Sequence, residues 1–261
     1  MENHKNLIDK ILENGYELDF SKLFEKAFEN YKKVAVIIGL LFIIITIITV
    51  IVTFSTIIMF VELDDLENIA TSINPIYEST TSMMIYIFGI SLISGLASPM
   101  TAGLFKIIHL AEKNNPFSIG NAFDYYKTNH FLQLFSAAFI LSFIGIGVTT
   151  LLEYNGVQIY GTLFSLLLSF FTFLTIPLII FSNLSGTDAI HYSIQLVIKQ
   201  PLIILGLLVV SILLSMVGFI AFCIGIFFTL PFYYSMIYMI YDAILPDSSK
   251  EENPFKENQS Y

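Results

Sequence analysis

The residues whose types could bind a metal ion or move a proton are few and far apart. The chain has four histidines, His4, His109, His130 and His191, and every gap between them is at least 21 residues. None falls in an H-E-x-x-H or H-x-x-H pair, the spacing that sets two imidazoles on one helical face for zinc. A metal centre would need three helix ends to bring His109, His130 and His191 together, with Asp124 or Asp188 as a further ligand. The plainer account makes these five residues polar groups at helix ends, so no catalytic residue, cofactor or metal is assigned. Serine chemistry has no better footing, because no G-x-S-x-G elbow occurs and no histidine falls in the middle of an apolar run to act as base. A lone cysteine, Cys223, sits within an apolar run; it excludes a disulfide inside the chain and reads as a small apolar side chain.

The elements that must position these residues are membrane helices. The 261 residues are 56% hydrophobic and 13% charged, with mean hydropathy +0.77. Soluble domains carry about 25% charge, so this chain could not cover its apolar surface in water. All twelve basic residues are lysine, and the net charge is −9. The absence of arginine forks disfavours phosphoryl chemistry, and the net negative charge argues against a nucleic-acid partner.

The expected fold is all-α and integral to the membrane, with about six transmembrane helices. Val34–Phe60, Ser82–Phe105, Phe131–Leu151 and Gly161–Phe181 are each long enough to span about 30 Å of hydrocarbon. Leu202–Ala243, with only Asp242 charged, reads as two further helices turning near Gly218–Gly225, or as a re-entrant hairpin. Residues 1–33 form an N-terminal segment with an amphipathic helix, 34–245 the membrane domain, and 246–261 a disordered tail. With six spans all twelve lysines fall on one face, which places both termini in the cytoplasm under the positive-inside rule. The acidic loop Glu62–Glu78 is then external. No cleaved signal peptide is read in the first 33 residues, which lack a continuous apolar stretch.

Three segments preceding odd-numbered spans resemble one another: Phe24–Lys32, Ile119–Lys127 and Gly186–Ile194. Each reads as an amphipathic helix lying in the interface and turning into the next span. The expected buried faces are Phe20, Leu23, Phe24, Ala27, Phe28 and Tyr31; Ile119, Ala122, Phe123 and Tyr126; and Ile190, Ile194 and Val197. Ser21, Ser118 and Thr187 are the expected N-caps. The even-numbered spans share a hydroxyl followed by proline: Ser98 and Pro99, Thr175 and Pro177, Thr229 and Pro231. A mid-helix proline frees a carbonyl, which in lipid must be satisfied by a neighbour or a hydroxyl. The unit is thus an amphipathic helix followed by a hairpin, repeated three times. Pro99, Pro177 and Pro231 are the candidate kink or cavity residues, since broken helices line binding sites in transporters; a hairpin triplicated for structural reasons would carry the same mark.

Leu18-Asp19-Phe20 leading to Ala27-Phe28, Pro99–Leu104 with Phe117–Tyr126, and Gly225–Pro231 form a pattern similar to a broad group of bacterial polytopic membrane proteins. That group includes the membrane-anchor domain fused to some glycerophosphodiester phosphodiesterases. The resemblance implies a helical, lipid-associated module; the soluble phosphodiesterase domain is absent and no catalytic residue carries over.

The first four spans hold no ionisable side chain, which argues against ion-coupled transport. The leading expectation is a non-enzymatic module that binds membrane lipids, a second copy of the chain or another membrane protein. A carrier for a neutral or amphiphilic solute, built around the three prolines, is the alternative. An interfacial lipid-acting enzyme using His109, His130 and His191 with Asp124 or Asp188 is the third.

Overall fold

The computed structural model describes residues 2–60, 79–220 and 224–246. The acidic loop over Glu62–Glu78, Cys223 and the tail beyond Pro246 lie outside the described residues. Among those described, every regular element is helical.

Helix α1 (Glu2–Asn14) ends at Gly15, whose φ of +77° lets its amide reach back to the carbonyl of Ile11. Helix α2 (Phe20–Phe60) follows as one element of 41 residues, roughly 60 Å long and twice the depth of the hydrocarbon. The turn expected between the first amphipathic segment and its span is therefore absent. No glycine or proline interrupts Phe20–Lys33, and its Lys, Glu, Ala and Leu residues carry the helix straight through. Its cap is Asp19, whose carboxylate accepts the amide of Lys22 at 3.0 Å, and not Ser21. The buried stripe runs Leu23, Ala27, Asn30, Val34, Ile38 and Leu41, while Phe20 and Phe28 of the expected face are exposed.

Helix α3 (Thr80–Glu112) runs through Pro99 without interruption. The second repeated segment, Ile119–Lys127, is a 3₁₀-helix and not an α-helix. Ser118 is its N-cap residue as expected, and its amide donates to Oδ1 of Asn121 at 2.9 Å. At three residues per turn Ile119, Ala122 and Tyr125 share a face, so Tyr125 turns inward and Phe123 and Tyr126 stay exposed. Helix α4 (Phe131–Tyr154) packs along α3, where Gly95 is small enough to accept the ring of Phe135. Ser142 donates to Ser94 across that contact at 3.1 Å.

Gly156, with φ of +76°, turns the chain into α5 (Gln158–Thr172) and, after a break, α6 (Thr175–Ser182). Helix α7 (Gly186–Lys199) is capped by Ser185, which accepts the amide of Asp188, and not by Thr187. It buries Gly186, Ala189, Ser193, Leu196 and Val197, leaving Ile190 and Ile194 only half-buried. The small residues win that face because α7 lies close against neighbours on two sides: Gly186 abuts the carbonyl of Gln133, and Ser193 reaches α5 and α6. Helix α8 (Pro201–Met216) leads through a 3₁₀ turn at Val217–Ile220 to α9 (Gly225–Thr229) and α10 (Pro231–Ile244). The turn falls in the expected region, and α10 packs against α2 and α8.

Five helical stretches are long and apolar enough to cross a membrane: Phe20–Thr56, Thr80–Glu112, Phe131–Tyr154, Gln158–Ser182 and Pro201–Ile220. Their exposed rows, such as Ile44, Ile47, Val50 and Phe54 on α2, suit contact with hydrocarbon and not water. The chain is a helical membrane protein.

Candidate functional site

The three prolines are all buried, yet only Pro99 sits inside a helix. There the Ser98 hydroxyl donates to the carbonyl of Gly95 at 2.8 Å, the acceptor that the missing proline amide leaves vacant. Pro231 opens α10 and Pro177 lies in the first turn of α6, positions where no intrahelical amide bond is lost. At these two places the helices are interrupted just before the proline. Ser193 closes the break before α6 by accepting the amide of Leu174 at 3.2 Å and donating to the carbonyl of Phe171 at 2.9 Å. Thr229 donates to the carbonyl of Ser215 and so ties α9 to α8. Thr175 behaves differently. Its Oγ1 is the buried side-chain polar atom that lacks a hydrogen-bond partner among the described residues.

The candidate polar residues are held by separate partners. The Nδ1 of His109 lies 2.8 Å from the Tyr238 hydroxyl, and its ring packs 5.1 Å from that of Phe181. His130 meets the amide side chain of Asn183 at 2.8 Å, and His191 is exposed beside Tyr192. Asp124 pairs with Lys106 at 2.7 Å, and Asp188 with Lys5 at 2.7 Å. Among the described residues no group of three His, Cys, Asp or Glu side chains is placed to hold a metal ion.

Both aspartates titrate low. The Asn121 amide, then the Lys106 ammonium, hold the Asp124 carboxyl below the usual range; Lys5 and Ser185 do the same for Asp188. The Lys5–Asp188 pair docks α1 onto α7, alongside buried Ile8 and a 2.6 Å bond from the Tyr16 hydroxyl to the carbonyl of Leu196. Burial pushes that tyrosine up to about 12, so it remains a donor. Because the folded carboxyl of Asp188 titrates below its unfolded value of about 3.9, its contribution is complete above that pH and is lost on acidification through the lower folded value. The pair is over a third exposed, so the effect is small. Protection of the α1 amides, taken relative to the intrinsic exchange rate at each pH, should fall a few-fold in Asp188→Asn at neutral pH, and in acidified wild type it should fall to the same level.

Two kinds of cavity remain. At the lysine-bearing end, His109, Phe181, Ser182, Tyr238, Tyr241 and Asp242 are among the residues that line a space of about 190 Å³. Ser182 and Tyr241 share a 2.8 Å hydrogen bond there, so the serine and the histidine are engaged by different tyrosines. The second is a groove within the hydrophobic stretches. Its upper part, about 290 Å³, lies between α4 and α5 and includes Ser142, Ser165, Ser169 and Thr172. Its lower part, about 250 Å³, shares Leu141, Ser169 and Thr172 with the first and adds Thr101, Phe105, Thr175, Tyr233 and Tyr234. Among the described residues no charged side chain lines either part. The three prolines line none of these spaces, although Thr175, Ile176 and Tyr233 beside them do.

A hydroxyl buried without a partner costs about 1–3 kcal/mol, and a charge carried to membrane depth about 2.5–3.5 kcal/mol or more. The groove walls combine hydroxyls with apolar side chains and carry no charge among the described residues. These hydroxyls are individually visible in the sequence, but their convergence from five helices is not.

No family model matches the chain, and no curated protein or solved structure is significantly similar to it.

Proposed function

We propose that this protein is a non-enzymatic integral membrane module that holds membrane lipid in the groove between α3, α4, α5–α6 and α10. The carrying observation is the uncharged, hydroxyl-bearing lining of that groove at the depth of the hydrophobic stretches. A relation to the membrane-anchor domain of some glycerophosphodiester phosphodiesterases is part of the same proposal. In this reading the chain crosses the bacterial inner membrane six times, with α9–α10 as the sixth span and both termini in the cytoplasm.

A threefold arrangement of amphipathic segment and hairpin belongs to the same proposal. Supporting it, the aligned alanines Ala27, Ala122 and Ala189 are all fully buried. The first segment packs on α10, the second on α3 and the third on α6, so each lies against an even-numbered stretch. Native mass spectrometry of the purified protein should show retained lipid. A lipid-free protein, together with a deletion strain of unchanged lipid profile, morphology and envelope-stress sensitivity, would overturn the reading.

A further inference from the structure

One hydroxyl that lines the groove has no hydrogen-bond partner among the described residues. Thr175 opens α6 immediately after the break at Phe173–Leu174, is 3% exposed, and lines the lower groove. Its backbone neighbours are accounted for: Ser193 takes the amide of Leu174, and the Thr172 hydroxyl donates to the carbonyl of Leu168. The Thr175 hydroxyl is not, and membrane helices ordinarily turn a threonine hydroxyl back onto their own carbonyls, as Thr172 does here. Tyr233 and Tyr234 on α10 and Thr101 on α3 face the same space. Thr175 lies seven residues, roughly 10 Å of helix, before the end of α6 at Ser182.

We infer that Thr175 is the hydrogen-bonding seat for the uncharged hydroxyl head of an aliphatic lipid, a long-chain alcohol or an acylglycerol, whose chain lies along the groove toward Ser142 and Ser165. The lining argues against the charged alternatives, because a phosphate or carboxylate at Thr175 would find no cation among the described groove-lining residues to pair with. A hydroxyl head both donates and accepts, and so suits a threonine that lacks a partner. The inference rests on the lipid-module reading and adds the class of lipid and the residue that selects it.

The test uses the full-length protein in detergent with hexadecanol, monopalmitoylglycerol and palmitoyl lysophosphatidic acid as probes. Wild type should bind the first two saturably and the third no better than empty micelles. Thr175→Val, which keeps the shape and removes the hydroxyl, should bind them about three- to tenfold more weakly. Thr175→Ser should restore binding. Without ligand, Thr175→Val should melt no lower than wild type, because it removes an unpaired buried group and no contact. Preference for monopalmitoylglycerol would assign a glycerolipid, and equal binding a simple alcohol. Undiminished binding by Thr175→Val, or equal competition by lysophosphatidic acid, would overturn the inference and leave the lipid-module reading standing. Failure of wild type to bind or retain any lipid would remove both.

Discussion

Asn30→Asp is expected to collapse the packing of α2, α3 and α10 at neutral pH and to be relieved by acid. Asn30 is 0% exposed. Its Nδ2 donates to the carbonyl of Ile108 at 3.0 Å and to the Glu112 carboxylate at 3.3 Å, and its Oδ1 accepts from Ser235 at 3.2 Å. One amide thus joins three helices. The introduced carboxylate would lose the donor, face a carbonyl and sit beside a like charge. An unsatisfied buried group costs about 1–3 kcal/mol, and breaking the pairing of a buried charge about 3–5 kcal/mol. The new group's folded pKa would be raised by burial and by Glu112, so stability falls as pH rises above the unfolded value of about 3.9. Thermal unfolding in detergent across pH checks this: Asn30→Asp should melt far below wild type at neutrality and recover part of the difference in acid. Asn30→Ala should cost less, on the order of 1–3 kcal/mol at any pH, because hydrogen bonds between membrane helices are individually weak. A variant as stable as wild type at neutral pH would show that the bridge contributes nothing.

Gly103→Val is the second large effect. A Cβ at Gly103 would overlap the backbone of Ala122, and backbone cannot swing aside as a flexible side chain can. The 3₁₀-helix over Ile119–Lys127 must therefore lift from α3. The Lys106–Asp124 pair and the 2.8 Å bond from the Tyr126 hydroxyl to the carbonyl of Leu96 cross the same contact and should be lost with it. Overpacking alone costs about 1–3 kcal/mol, and more where the neighbour is rigid. For a chain of this size that is a fall in Tm of roughly 5–10 °C. Gly120→Ala is the control, since its Cβ would meet only the Ser118 hydroxyl at an ordinary 3.5 Å. If both glycine variants melt together, the close approach at Ala122 carries no stability.

Much of the fold is legible in the residues alone. The apolar runs, the lysine-free connections and the position of the last turn follow from local composition, because a membrane selects for length and hydropathy residue by residue. Ala27, Ala122 and Ala189, which the proposed repeat would align, are all fully buried, and nothing local shows that burial. Asn30 stands outside the face expected from the sequence, which takes Phe28 and Tyr31 instead, because local spacing does not show which side of α2 meets α3 and α10.

Sequence by itself determined that this chain is helical, membrane-embedded, free of arginine and without a local metal or nucleophile motif. Tertiary structure alone decided three other matters. The second segment became a 3₁₀-helix whose inward residue is Tyr125 and not Phe123, because the contact of Ala122 with Gly103 leaves room for a period of three. Ser193, eighteen residues beyond Thr175 in the chain, heals the break before α6, and the Thr175 hydroxyl has no partner among the described residues. Hydroxyls from α3, α4, α5–α6 and α10 line one groove, while the candidate histidines stay apart. Period and hydropathy are properties of neighbours in sequence; which hydroxyl finds a partner depends on the helix that packs beside it.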